Sequence, residues 1–290
     1  MSEVLRLANL RPRELEQALA VDAALIQPVG TIEWHSYHLP LGLDGLVAES
    51  LAAQVAARCG GVLAPTSWWA AGGVPYPHTL RLERSLIASL IKAALLEFVR
   101  LGFRIVLLVN GHFGLENSLA SRQGALSCMK ETRATVLVVA PYEVLTDLGN
   151  SGDHAGTWET SLLWATDEDL IDTRVLAADG ELPGVIGNDP RGSASKHLGR
   201  KALATASARL AEMVARAARE DEGTRTSYLD AVQAAVAALE ALSTLRATRP
   251  LHEVPRVNTP TWRQHLEALA AGRYRDAVEL AERKRRDPAA

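Results

Sequence analysis

Only two cysteines, Cys59 and Cys128, occur in 290 residues, and they stand far apart. They can build neither a disulfide framework nor a cysteine-based zinc site, which suits a reducing cytoplasm. Excess positive charge is missing too: 31 Lys+Arg face 34 Asp+Glu, a net charge of -3. No global field therefore recruits nucleic acid or an anionic membrane. No apolar run approaches the ~20 residues a bilayer requires. The opening Met1-Ser2-Glu3-Val4-Leu5-Arg6 lacks the basic-then-apolar order of a signal peptide. These absences predict a cytoplasmic protein whose partner is a small molecule, not nucleic acid or membrane.

What is present is a hydrophobic content of 48%, enough for one large core with an appendage. Short β-branched or Leu-rich runs at 24–26, 62–64, 105–109 and 135–139 alternate with helix-like stretches at 45–58, 84–101, 115–131 and 194–220. That alternation predicts a mainly parallel sheet covered by helices on both faces. Asp44 is placed to cap the first of these helices. After about Glu222 the character changes, so the chain divides into a main domain, 1–221, and a C-terminal helical extension, 222–290. The extension reads as a hairpin: an Ala-rich stretch over 228–245, a proline-marked link over 250–260, and an amphipathic stretch ending in Arg283-Lys284-Arg285-Arg286. A solvated helix end explains that basic run, since cations are favoured there by the helix dipole.

Three polar clusters carry the chemistry. The first follows the first predicted strand and runs Glu33-Trp34-His35-Ser36-Tyr37-His38, with Asp44 beyond. Residues two apart in extended backbone point the same way, so Glu33 and His35 can converge. Asp44 would approach from the mouth of the next helix. The second, Asn110-Gly111-His112-Phe113-Gly114, follows the third strand directly, and its glycines permit a close-approaching backbone around His112. The third, Gly152-Asp153-His154-Ala155-Gly156-Thr157-Trp158-Glu159-Thr160-Ser161, is a glycine-bearing loop leading into a helix whose first turn holds Glu159. Mixed carboxylate and imidazole ligands suit zinc, manganese or iron better than magnesium or calcium.

Taken together the clusters resemble the creatininase (creatinine amidohydrolase) family. The match rests on Pro28, Gly30, Glu33, His35, His38 and Asp44, on Asn110-Gly111-His112, and on His154-Ala155-Gly156 with Glu159-Thr160-Ser161. The resemblance implies a three-layer α/β/α sandwich, two divalent metal ions (Zn, Mn or Fe) and a homohexamer. By position it makes Glu33, Asp44 and His112 ligands of one ion, and His35 with a bridging Asp44 ligands of the other. Creatinine-hydrolysing members complete the second ion with a Glu at the place of Gly114; here Glu159 is the favoured donor and Glu116 the reserve. His38 would orient a ligand, and Trp34, His78, Phe113 and Trp158 would contact substrate, with Trp68 and Trp69 as further candidate walls.

The expected activity is metal-dependent amidohydrolysis of a non-peptide C–N bond in a cyclic amide or amidine, by a metal-bridging hydroxide. Glu159 and His154 are the catalytic candidates, His154 as acid to the leaving nitrogen because an imidazole near pKa 6.5 exists in both forms at working pH. Ser36, Tyr37 and Pro77-His78-Thr79 depart from the family pattern near the expected pocket, which turns the expectation away from creatinine itself. Three alternatives stand beside it. One is a deformylase of a formamidopyrimidine nucleotide, with Arg81, Arg84 or Arg191 as phosphate contacts. Another is a peptidase maturing a peptide-derived cofactor precursor. The last is a non-catalytic metal-binding assembly protein.

Overall fold

A computed structural model describes residues 4–176, 178–250 and 253–290. Met1-Ser2-Glu3 of the leader reading and Leu251-His252 of the proline-marked link lie outside the described residues. Strands β1 (Leu5–Arg6), β2 (Leu25–Val29), β3 (Val62–Leu63), β4 (Ile105–Asn110) and β5 (Thr135–Val139) form one sheet in the order β1-β3-β2-β4-β5. All the pairings are parallel. β2 and β4 are buried along their whole lengths, as the continuous apolar run of β4 requires of a sheet covered on both faces. β2 runs past the expected 24–26 and through Pro28. The carbonyl of Pro28 accepts from Ser67 N on the side where β3 has already ended, so the missing proline N–H leaves no ladder carbonyl unpaired.

The helices of the main body are α1 (Pro12–Ala20), α2 (Leu43–Cys59), α3 (Arg84–Leu101), α4 (Leu115–Glu131), α5 (Thr157–Thr166) and α6 (Lys196–Ala217). β2 connects to β3 in one direction through α2, whereas β3 to β4 and β4 to β5 run in the other through α3 and α4. Right-handed crossovers then put α2 on one face and α3 and α4 on the opposite one. The packing agrees: α2 lies against α5 and α6, and α3 against α4. The same reversal opens a crevice between the carboxyl ends of β2 and β4, where open α/β sheets gather ligands.

Three helices follow, α7 (Glu222–Thr248), α8 (Pro260–Ala270) and α9 (Tyr274–Arg286), so the expected hairpin is a three-helix unit. Pro260 starts α8 within the stretch read as linker, because proline is tolerated at the first helical position. α7 packs on α4, α9 on α7, and α8 on the 3-10 turn Pro141–Val144. Tyr228, Trp262 and Tyr274 thereby join the same buried core as the sheet. The basic run is corrected in one respect: Lys284 is buried, not solvated. No helix among the described residues is long and apolar enough to cross a membrane.

Candidate metal centre

Val29 and Asn110 pair at the ends of β2 and β4, and Gly111 N donates to Val29 O at 2.8 Å, so the segments carrying Glu33 and His112 leave the sheet side by side. The first turn of α2 presses onto both strand ends. A Cβ on Gly30 would fall 2.2 Å from Gly45 N, and one on Gly111 would fall 2.1 Å from Asp44 O, far inside any real contact. Glycine at 30 and 111 is what lets the helix sit there and deliver Asp44 into the crevice. Asp44 is not the cap; Gly42 occupies that position and Asp44 belongs to the first turn, its carboxylate aimed at two imidazoles.

His112 Nδ1 lies 2.8 Å from Glu33 Oε2 and 3.1 Å from Asp44 Oδ2. His35 Nε2 lies 3.1 Å from Asp44 Oδ1 and 3.6 Å from Glu159 Oε2. Three groups of converging ligand atoms result, Glu33-Asp44-His112, His35-Asp44-Glu159 and Glu33-His35-His154; Asp44 turns one carboxylate oxygen to each of the first two, whose five side chains are all buried. Other bonds hold the ligand atoms in place. Glu33 Oε1 accepts from Val74 N at 2.6 Å, Glu159 Oε2 accepts from Ala155 N at 2.6 Å, and His35 Nδ1 donates to Glu33 O at 3.0 Å.

Burial by itself raises acids and lowers imidazoles. Here mutual attraction outweighs it for four groups: Glu33 and Asp44 are held below the usual carboxylate range, His112 is raised well above 6.5, and His35 is pushed up to about 9. Glu159 goes the other way; burial, reinforced by Asp153 and Asp44, raises its carboxyl well above 4.5. Three buried carboxylates against two imidazoles is an arrangement that divalent cations would neutralise. The hydrogen bonding points the same way, since Glu33 Oε2, Asp44 Oδ2 and His35 Nε2 have no hydrogen-bond partner. Buried polar atoms that converge without bonding to one another fit ligands of shared ions.

The third cluster folds as a loop ahead of α5. Asp153, unassigned by sequence, accepts from Trp158 N at 2.8 Å and Glu159 N at 3.2 Å, supplying the bonds that the helix's own N-cap, Gly156, cannot. Burial raises its carboxyl to about 6. His154 stacks on His35 with ring centroids 4.4 Å apart, and its Nε2 donates to the Trp34 carbonyl at 2.8 Å. Burial, then the neighbouring His35, lowers it to about 4. His154 is thus neutral at pH 7 in the ion-free molecule, not the evenly divided imidazole expected. His38 is fully buried and bonds Thr160 Oγ1 at 3.0 Å.

With this geometry in view, likeness to known proteins is informative. Residues 8–214 match the Creatininase family model, described as creatinine amidohydrolase. The chain belongs to the creatininase family. The activity that this description names is hydrolysis of a carbon–nitrogen bond, and this chain is such a hydrolase. It is 28% identical over 198 residues to a creatinine amidohydrolase of Pseudomonas putida, spanning 59% of this chain and 75% of that one. It is also 25% identical over 158 residues to a 3-dehydro-scyllo-inosose hydrolase of Thermotoga maritima, spanning 53% of this chain and half of that one. A crystal structure of creatinine amidohydrolase superposes with TM-score 0.66 at 21% identity, covering 76% of this chain and 100% of that one. Another neighbour, TM-score 0.63 at 22% identity over 72% of this chain and 97% of that one, is creatininase with Mn.

Not every residue singled out in this creatininase-family sequence reaches the cluster. Glu116 does not: its two oxygens accept from Arg84 at 3.0 Å and Ser243 at 2.8 Å, in a separate cavity of about 530 Å³ beside α7. Trp158 is buried and His78 is exposed with φ +68°. Phe113 rests on Tyr142 at 5.1 Å, and Trp68 lies against Gly42 and Gly45, where it packs α2. Trp69 is exposed. Trp34 is the better placed wall, tilted at 52° against Tyr76 with ring centroids 4.2 Å apart, and Tyr76 lines a cavity of about 610 Å³ with residues of the 180–191 loop. Sequence reading also passed over Asn117, which donates to Asn110 Oδ1 and His112 O, both at 2.7 Å, and fixes the turn that carries His112.

Proposed function

We propose that the chain is a two-metal amidohydrolase of small cyclic amides or amidines. The observation that carries this reading is Asp44, one carboxylate turned toward two buried triads at once. Glu33, Asp44 and His112 would hold one ion, and His35, Asp44 and Glu159 the other. When bound, such ions polarise a carbonyl and make hydroxide available near neutral pH. Zinc and manganese are the favoured identities, because imidazole and carboxylate donors suit them and solved relatives are described in Zn-Zn and Mn forms.

The chain's own residues supply the rest. His154 donates from Nε2 to the Trp34 carbonyl, so Nδ1 is its unprotonated atom and the place where a proton is taken up and then passed to the departing nitrogen. Asp153 orients the start of α5 and with it Glu159. His38 keeps its place behind the cluster through Thr160. Trp34 and Tyr76, inclined at 52° to each other, give an angled aromatic wall to a ring. Of the three candidate phosphate contacts, Arg84 is engaged with Glu116 away from the cluster and Arg191 is paired with Asp189 at 2.6 Å; Arg81 lies beside Gly73, next to Glu33, and is the one that keeps a phosphorylated substrate as an alternative.

Metal analysis of the purified protein is expected to give close to two ions per chain. A panel of lactams, hydantoins, formamides and short peptides offered to the loaded enzyme should show turnover among the cyclic amides. Turnover confined to formamides or peptides would overturn the substrate class, and an ion-free protein would overturn the mechanism. A homo-oligomer, with a hexamer as the family expectation, is the proposed assembly. Leu86 and Leu90, 57% and 44% exposed one turn apart on α3, provide apolar surface for it, and light scattering tests it.

A further inference from the structure

The loop that carries Asp153 and His154 is held in an unfavourable backbone. Gly152 has φ +76° and Ala155, which has a Cβ, has φ +52°. A non-glycine residue in this region is disfavoured and persists only where its surroundings over-determine it. On one side the loop is held by the chain's own family core: His154 and Ile186 exchange two backbone hydrogen bonds of 2.8 Å.

The other side is held by the C-terminal extension, which lies beyond the family match at 8–214. Asn258 Nδ2 donates to the carbonyl of Ser151, immediately before Gly152. A carbonyl only accepts, so the amide end of Asn258 must be the one that faces it. Asn258 is itself placed by Lys284, the buried member of the basic run. Lys284 Nζ donates to Thr259 Oγ1 at 2.9 Å and Arg256 O at 3.2 Å, one on each side of Asn258, and to Pro288 O. A lysine is rarely buried without such partners. Beneath this strap Trp262 is buried on α8, and Tyr142, on the 3-10 turn that α8 packs against, lies with Phe113 under Gly152. Thr146 adds a bond to Glu267 of α8 at 3.0 Å.

We infer that the extension is a working part of the hydrolytic site: Asn258 is a positioning residue that clamps the loop carrying Asp153 and His154, and Lys284 holds the clamp. The inference rests on the two-metal reading for its consequence. Its geometry does not depend on that reading. Because Asp153 anchors the amides of Trp158 and Glu159, slack at Ser151 is passed to Glu159 and so to the triad of His35, Asp44 and Glu159, while Glu33 and His112 are carried by the ends of β2 and β4.

The test uses the full chain with Asn258→Asp, which sets a carboxylate against the Ser151 carbonyl, alongside Asn258→Ala and Lys284→Met. Hydrogen exchange of the ion-free protein should quicken by about tenfold or more at amides 152–155 in both Asn258 variants, with the β4 and β5 amides unchanged. Zinc titration should then show the weaker of two affinities falling by about tenfold while the tighter one holds. Unchanged exchange at 152–155 in both Asn258 variants would overturn the clamp. So would faster exchange with both zinc affinities intact, which would leave Asn258 a merely structural contact. If the wild-type chain takes up no zinc, the hydrolase reading fails, and the exchange measurement still decides whether the clamp exists. Should Lys284→Met fail to fold, the Asn258 pair carries the test.

Discussion

Glu33, Asp44 and His112 hang from two strand ends and a helix start packed so closely at Gly30 and Gly111 that a Cβ on either would clash, whereas Glu159 reaches the cluster from a helix whose preceding loop contains two left-handed residues. The distances follow the construction. His112 sits 2.8 Å from Glu33, and His35 sits 3.6 Å from Glu159. The first triad is fixed by the sheet's own topology, and the second adds to His35 and Asp44 a carboxylate, Glu159, recruited from a distant segment. The first should therefore bind its ion tightly and tolerate little change. The second should be weaker and adjustable, which suits a family that varies its substrate on one scaffold.

Asp44 belongs to both halves, so Asp44→Ala should erase the distinction. The expected result is loss of both ions and a fall in turnover on the order of 10³-fold or more, read by metal analysis and steady-state kinetics. Retention of either ion would show that the carboxylate is not shared. Gly111→Ala strikes the sheet-built half alone. The added methyl must displace Asp44 O, and a loss of about 3 kcal/mol is expected, seen as a lowered melting temperature. Glu159→Gln strikes the loop-built half. It should release one ion of two and slow turnover on the order of 10²-fold, with little change in melting temperature. If it released both, the halves would not be separable.

That asymmetry also explains what was legible. A strand running directly into Asn110-Gly111-His112, and another into Glu33-Trp34-His35, announce ligands because sheet topology brings adjacent strand ends together. Asp153 and Asn117 were harder, since their bonds run to backbone amides and carbonyls whose positions no spacing rule supplies. Lys284 was read as solvated because three neighbouring basic residues set the tone of the segment, yet its ammonium is consumed by the Arg256 carbonyl and the Thr259 hydroxyl, 28 and 25 residues away. β1 and α1 went unpredicted: a two-residue edge strand has no periodicity to detect.

Protonation gives a smaller effect, in which both halves move together. His35, raised to about 9 from 6.5, contributes stability that is full below pH 6.5 and is lost as pH rises through about 9. Asp153, raised to about 6, acts with the same sign and loses its contribution as pH rises through 6. Glu33 and Asp44, both lowered, act oppositely and lose theirs as pH falls below about 4. Chelator-treated protein should therefore melt lower at pH 9.5 than at pH 6. Added zinc or manganese should flatten that dependence, because a bound cation takes the place of the imidazole protons. A melting temperature that rises with pH in the ion-free protein would contradict the charge arrangement.

Glu116 supplies the smallest expected effect and the sharpest control. Counting one helical turn from His112 places its Cα on the side of the site, and that arithmetic made it a rival to Glu159. The carboxylate goes elsewhere because Arg84 of α3 and Ser243 of α7 each offer it a donor in a half-exposed cleft, 32 and 127 residues away in sequence. Glu116→Gln should leave both ions bound and turnover unchanged. Stability should fall by about 1 kcal/mol or less, since the pair is more than a third exposed and screened by solvent. Loss of an ion from Glu116→Gln, with Glu159→Gln fully loaded, would move the second triad onto α4 and make both halves of the site products of the sheet.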